Sequence, residues 1–142
     1  MVPESDLETL IRGMKPSLKD GHYYFAPVEE SRLMELANHL DGILGIFREE
    51  EGLTVIFSEE ILDDMKELSE ASPSGPFSLI TLTINSDLMA VGFLAKLTAA
   101  LAEEKIPVNA VSAYFHDHLL VPSGKSERAL AVLGRLASGG LE

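Results

Sequence analysis

The chain has no cysteine and no tryptophan, and only 11 basic residues against 23 acidic ones. Each deficit removes a class of explanation. Without cysteine there is no disulfide scaffold, no thiol nucleophile and no cysteine-ligated zinc. The formal charge of −12, uninterrupted by any lysine or arginine cluster, repels phosphate backbones and anionic membrane surfaces on average, so neither nucleic acid nor membrane is an expected partner. No apolar run approaches the roughly 18 residues of a bilayer span. The opening MVPESDLETL lacks the basic and apolar regions of a secretory signal, so a cytoplasmic protein is the expectation. No convergent nucleophile, base and oxyanion donor is evident, so no catalytic residue and no cofactor are assigned.

What is present suits a packed core: 46% of residues are apolar and 24% charged, the balance of an ordinary globular chain rather than a disordered one. At 142 residues there is room for one domain, or for two half-size units that must pack together because neither closes a comfortable core alone. Apolar spacing predicts a short helix over Asp6 to Met14, a strand over His22 to Val28 and a helix over Glu30 to Leu40. A hairpin of Ile43 to Arg48 with Leu53 to Phe57 follows, and then a helix, N-capped by Ser58, that carries Ile61, Leu62, Met65 and Leu68. Ser69 to Pro76, with two prolines, a glycine and three serines, is the best boundary in the chain.

The order then repeats. Phe77 to Asn85 alternates as a half-buried strand, and Leu88 to Glu104 reads as a helix with Leu88, Val91, Leu94, Ala95, Leu101 and Ala102 inward. Val108 to His116 and Leu119 to Pro122 give two strands, and Glu127 to Leu136 a last helix, with Ser123 or Ser126 capping its start. Val55-Ile56-Phe57-Ser58 aligns with Leu120-Val121-Pro122-Ser123 at equivalent hairpin-to-helix junctions. The expected fold is therefore α+β: two ferredoxin-like βαββα units, residues 1–72 with the N-terminal helix and 73–142, each with an antiparallel sheet and its helices on one face. Ser138 to Glu142 reads as a flexible end, whose last two residues carry no functional weight.

The stretch SDLMAVGFLAKLTAALAEEKIPVNAVSAYFHDHLLVPSGKSERALAVL, and the P-x-L-x-x-G-x-Y-x-F pattern at Pro16, Leu18, Gly21, Tyr23 and Phe25, resemble the small bacterial proteins built of two tandem ACT domains. The resemblance implies a regulatory, non-catalytic module that binds an amino acid or a related carboxylate where paired domains meet. It implies ligand contact from Asn85 to Gly92, with Asn109 beside it. Ser86-Asp87-Leu88-Met89 replaces the family's common D-R-P-G loop.

The residues also allow a physical reading of that site. A helix beginning near Leu88 would offer unpaired N–H groups and a positive dipole end to an anion, so Asp87, Leu88, Met89, Ala90, Val91 and Gly92 are the candidate ligand residues, together with Asn109. Gly92 serves either close approach of a ligand or tight packing; Asn109 serves either a ligand or a cap. His116-Asp117-His118 could be a metal site, the edge of a ligand site or a turn, and turn bonding by Asp117 is preferred, with no metal assigned. The equivalent loop of the first unit, Val28-Glu29-Glu30-Ser31, places two carboxylates at the helix start and is the weaker site. Unpaired sheet edges make a homodimer the expected assembly. An adaptor that docks on another protein and binds no small molecule is the alternative.

Overall fold

The computed structural model describes residues 2–139; the last three residues of the expected flexible end lie outside the described residues. Its strands are β1 (Pro16–Leu18), β2 (Tyr23–Val28), β3 (Ile43–Glu49), β4 (Gly52–Ser58), β5 (Ser74–Leu82), β6 (Asn109–Ser112) and β7 (Asp117–Pro122). The α-helices are α1 (Leu7–Gly13), α2 (Leu33–Leu36), α3 (Leu62–Leu68), α4 (Phe93–Glu103) and α5 (Ser126–Ala137). The chain divides into a larger unit, which contains residues up to Asp20 together with those from Ser78 onward, and a smaller one, Gly21–Phe77.

In the smaller unit β3, β4 and β2 lie in that order, antiparallel throughout, and the first residues of β5 pair with the free side of β2 (Tyr23 with Phe77, Phe25 with Ser74). Alternation in β4 sends Leu53, Val55 and Phe57 inward, where they meet Val28, Leu36, Met65 and Leu68. Ser58 caps the following 3-10 turn, its hydroxyl accepting Glu60 N–H, and that turn leads into α3. The helix expected over Glu30 to Leu40 is instead a 3-10 turn, one turn of α-helix and a second 3-10 stretch. Of Leu33, Leu36, Ala37 and Leu40, which stand at helical spacing, only Leu36 is buried, so the other three give a regular helix no packing.

In the larger unit β7 lies between β6 and the second half of β5, and β1 pairs antiparallel with the other side of β5 (Pro16 with Leu82, Leu18 with Ile80). Each unit therefore has the same βαββ order with a fourth strand beside the first. The N-terminal helix was expected with the first unit. It belongs instead to the larger one, where Leu10 and Met14 are fully buried among Leu97, Leu101, Leu133 and Leu136. The physical reason is that β1, directly after α1, is the fourth strand of this sheet.

Two further expectations change in this unit. β5 is buried continuously from Ser78 to Leu82 rather than on alternate residues. α4 starts at Phe93, five residues later than expected, and buries Phe93, Leu97 and Leu101, while Leu88 and Val91 stay exposed. α5 takes no side-chain cap from Ser123 or Ser126; the Ser126 hydroxyl donates to the Ser123 carbonyl across a 3-10 turn.

Candidate functional site

The loop between β5 and α4 is built by its own hydrogen bonds. Asp87 accepts the Met89 N–H on its side chain at 2.9 Å and the Ala90 N–H on its carbonyl at 3.0 Å, a local turn that aspartate favours. The chain then passes Gly92, whose φ of +92° is the left-handed conformation that glycine adopts without a Cβ clash. Gly92 is thus the residue before the helix, not an interruption within it.

The placement of Gly92 decides which N–H groups are available. Those of Met89 and Ala90 are engaged within the loop, and that of Asp87 donates to Glu4 O at 2.7 Å. The first bond of α4 runs from Lys96 N to Gly92 O at 3.0 Å, and no side chain caps the helix. The N–H groups of Phe93, Leu94 and Ala95 are therefore left without an intrahelical acceptor at the positive end of an 11-residue helix. The free N–H groups of the helix start lie one turn further along the chain than the apolar spacing suggested.

These residues face a cavity of about 200 Å³ lined by Ser86, Asp87, Leu88, Ala90, Gly92, Phe93, Leu94 and Ala95, closed on its far side by Ser112 and Asp117. Ser112 and Asp117 are cross-strand partners of β6 and β7. Asp117 is 7% exposed and Ser86 5% exposed, and the Ser86 hydroxyl donates to Asp117 Oδ2 at 3.0 Å. Among the described residues no donor reaches Oδ1, none of their buried side-chain oxygens is sealed without a partner, and Asp117 is among the residues that line the cavity. The cavity thus has an electropositive helix end, a buried carboxylate, apolar walls, and no lysine or arginine in its lining.

Of the residues expected from sequence, the structure brings together Asp87, Leu88, Ala90 and Gly92. Met89 and Val91, each 83% exposed, do not line the cavity, and Asn109 sits in β6 opposite Leu120, also outside the lining. Phe93, Leu94, Ala95 and Ser112 were not anticipated as site residues; Ser86 falls in the Asn85-to-Gly92 loop that the resemblance implied, and Asp117 in the stretch for which a turn was preferred to a ligand edge. Alternation held the signal for Asp117, because Asp117, Leu119 and Val121 share a strand face and the latter two are core residues.

The two histidines beside Asp117 lie apart from the cavity. His118 is within β7, its Nδ1 2.9 Å from the Thr81 hydroxyl, and His116 Nδ1 is 3.1 Å from the Ile84 carbonyl. Burial holds the His118 imidazole below the usual histidine range, His116 and Lys19 push the same way, and Asp117 offsets them in part. In the smaller unit, Glu30 at the equivalent helix start pairs with Arg48. That unit has a wider groove of about 710 Å³ along Tyr24, Leu62 and Lys66, but its charged groups, Lys66 and Glu70, are both exposed.

The ACT-domain family matches this chain twice, over residues 75–135 and over residues 2–67. A Vibrio cholerae protein, described as of unknown function and as a possible transport protein, is 38% identical, with 92% of this chain and 95% of that one covered and a TM-score of 0.75. The chain is a tandem member of the ACT-domain family, and its fold is ferredoxin-like. The regulatory subunit of aspartate kinase from Thermus thermophilus, at 11% identity, covers 92% of this chain and 99% of its own, with a TM-score of 0.69. An Agrobacterium tumefaciens protein, at 18% identity, covers 86% and 87%, with a TM-score of 0.63. Among curated proteins none matches.

Proposed function

We propose that this is a non-catalytic, amino-acid-sensing regulatory protein whose ligand occupies the cavity between the Ser86–Gly92 loop, the start of α4 and Asp117. The observation that carries this reading is Asp117: the carboxylate is buried and, among the described residues, accepts from Ser86 on Oδ2 alone, which leaves Oδ1 for a cationic or hydrogen-bonding partner. An α-amino acid supplies the matching pair of charges. Its carboxylate meets the N–H groups of Phe93 to Ala95, and its ammonium meets Asp117 Oδ1. The apolar lining of Leu88, Ala90, Phe93 and Leu94 accepts a side chain. With Asp87 and Asp117 present and no basic residue to compensate, an acidic side chain is disfavoured.

The smaller unit stays the weaker candidate because only a 3-10 turn, Glu30–Arg32, follows its equivalent loop and Glu30 is already paired with Arg48. Membership of the ACT family supports the regulatory role. A cytoplasmic setting is part of the proposal, with no described helix long and apolar enough to cross a membrane. So is a homodimer formed through exposed β6, which has β7 as its one neighbour among the described residues.

The test is thermal denaturation with each of the twenty amino acids at millimolar concentration, because a ligand that binds only the native state raises the melting temperature. At least one neutral or basic amino acid should stabilise the protein, aspartate and glutamate should not, and Asp117→Asn should abolish the response with little change in the ligand-free melting temperature. Asparagine fills the same volume and still accepts from Ser86, so it separates charge from packing. No response to any amino acid would sink the proposal and favour the adaptor.

A further inference from the structure

The segment ahead of α1 is tied to the same loop. Glu4 and Ser86 form an isolated parallel bridge, in which Glu4 N–H donates to the Asn85 carbonyl at 2.8 Å and the Glu4 carbonyl accepts Asp87 N–H at 2.7 Å. The Glu4 carboxylate turns back on its own chain and accepts the N–H groups of Ser5 and Asp6 at 3.1 and 3.0 Å. Asp6 then caps α1 by accepting Thr9 N–H at 3.0 Å. Because Leu10 and Met14 anchor α1 in the core, this strap has one fixed end. It meets the far end of the loop as well: a Cβ at Gly92 would lie 3.4 Å from Leu7 Cδ2.

Ser86, Asp87 and Leu88 also wall a second hollow of about 180 Å³, completed by Pro3, Asn85, Tyr114 and Phe115. Three residues therefore partition two cavities. The Ser86 hydroxyl holds the partition from one side through Asp117, and the main chain of Glu4 holds it from another.

We propose that the main chain of Glu4 is a positioning element for the amino-acid site, fixing the Ser86–Leu88 partition and so setting the size of the cavity that Asp117 and the start of α4 face. The proposal rests on the assignment of that cavity as the ligand site. Its structural half, however, is measurable without any ligand. Glu4→Pro removes the N–H that donates to Asn85, whereas Glu4→Ala keeps both main-chain bonds and loses only the carboxylate. A variant lacking residues 2–5 removes the bridge while leaving the Asp6 cap in place.

Amide hydrogen exchange in the ligand-free protein reads the outcome. Glu4→Pro and the shortened variant should accelerate exchange at Asp87 and Met89 by about tenfold or more, while amides in α4 keep their protection. Glu4→Ala should match the parent. Unchanged exchange at Asp87 in Glu4→Pro, equal acceleration in Glu4→Ala, or uniform acceleration that includes α4 would overturn the proposal. The amino acid that most stabilises the parent should bind Glu4→Pro about tenfold more weakly and Glu4→Ala equally; unaltered affinity beside a loosened loop would also overturn it. If no amino acid stabilises the parent, the functional assignment fails, and loop exchange still decides whether the strap holds the partition.

Discussion

Two adjacent residues of β7 illustrate how strand alternation separates tasks. Asp117 points to the helix side with Leu119 and Val121 and reaches the cavity, whereas His118 points away and meets Thr81. The His118 imidazole is held below the ordinary histidine value of about 6.5, first by burial and then by His116 and Lys19. A depressed native value means that the unfolded chain takes up its proton first as the pH falls. The stabilisation is complete above the unfolded-state value and is lost as the pH drops through the native one. Urea unfolding should accordingly show lower stability at about pH 5.5 than at about pH 7.5, and His118→Gln, which can still hydrogen-bond to Thr81, should reduce that difference. An identical pH dependence in the variant would show that other groups account for it.

Secondary-structure elements show where periodicity is a reliable guide and where it misleads. β3 and β4 were legible because two apolar runs flank an acidic turn, Glu49 to Gly52, that contains one glycine, and α5 because Leu133 and Leu136 are both buried at helical spacing. α4 misled because Leu88 and Val91 extend its apolar stripe backward, although the chain leaves helical geometry at Gly92 and the buried stripe is Phe93, Leu97 and Leu101. The loop that lines the candidate cavity was therefore readable, but the free N–H groups beside it were displaced by a turn, and Asp117 was hidden in what looked like a histidine-rich turn. Gly92→Ala tests the geometry of this junction. The added Cβ makes only ordinary contact with Leu7, so the expected loss of about 1–2 kcal/mol comes from the left-handed backbone. An unchanged free energy of unfolding would mean that the junction tolerates a different φ.

At the scale of the whole chain, the two sequence repeats and the two compact units do not coincide. The family match to residues 2–67 includes α1 and β1, yet these elements complete the larger unit, whose other elements lie from Ser78 onward. The repeat boundary near Pro76 was legible from proline, glycine and serine content. Ownership of the first twenty residues was not, because an apolar stripe records that a face is buried and not which partner buries it. Residues 74–139 alone should therefore fail to unfold cooperatively in urea, since they lack β1 beside β5 and leave the hollow filled by Leu10 and Met14 open. Joining residues 2–20 after residue 139 through a glycine–serine linker should restore a cooperative transition, because the same strand and helix can reach their places in either chain order. The pair of chains isolates the cause: restoration by Leu10→Ala, Met14→Ala versions of the added segment as complete as by the native one would remove α1 packing from the explanation. Cooperative unfolding of residues 74–139 at the full chain's midpoint would remove β1 as well.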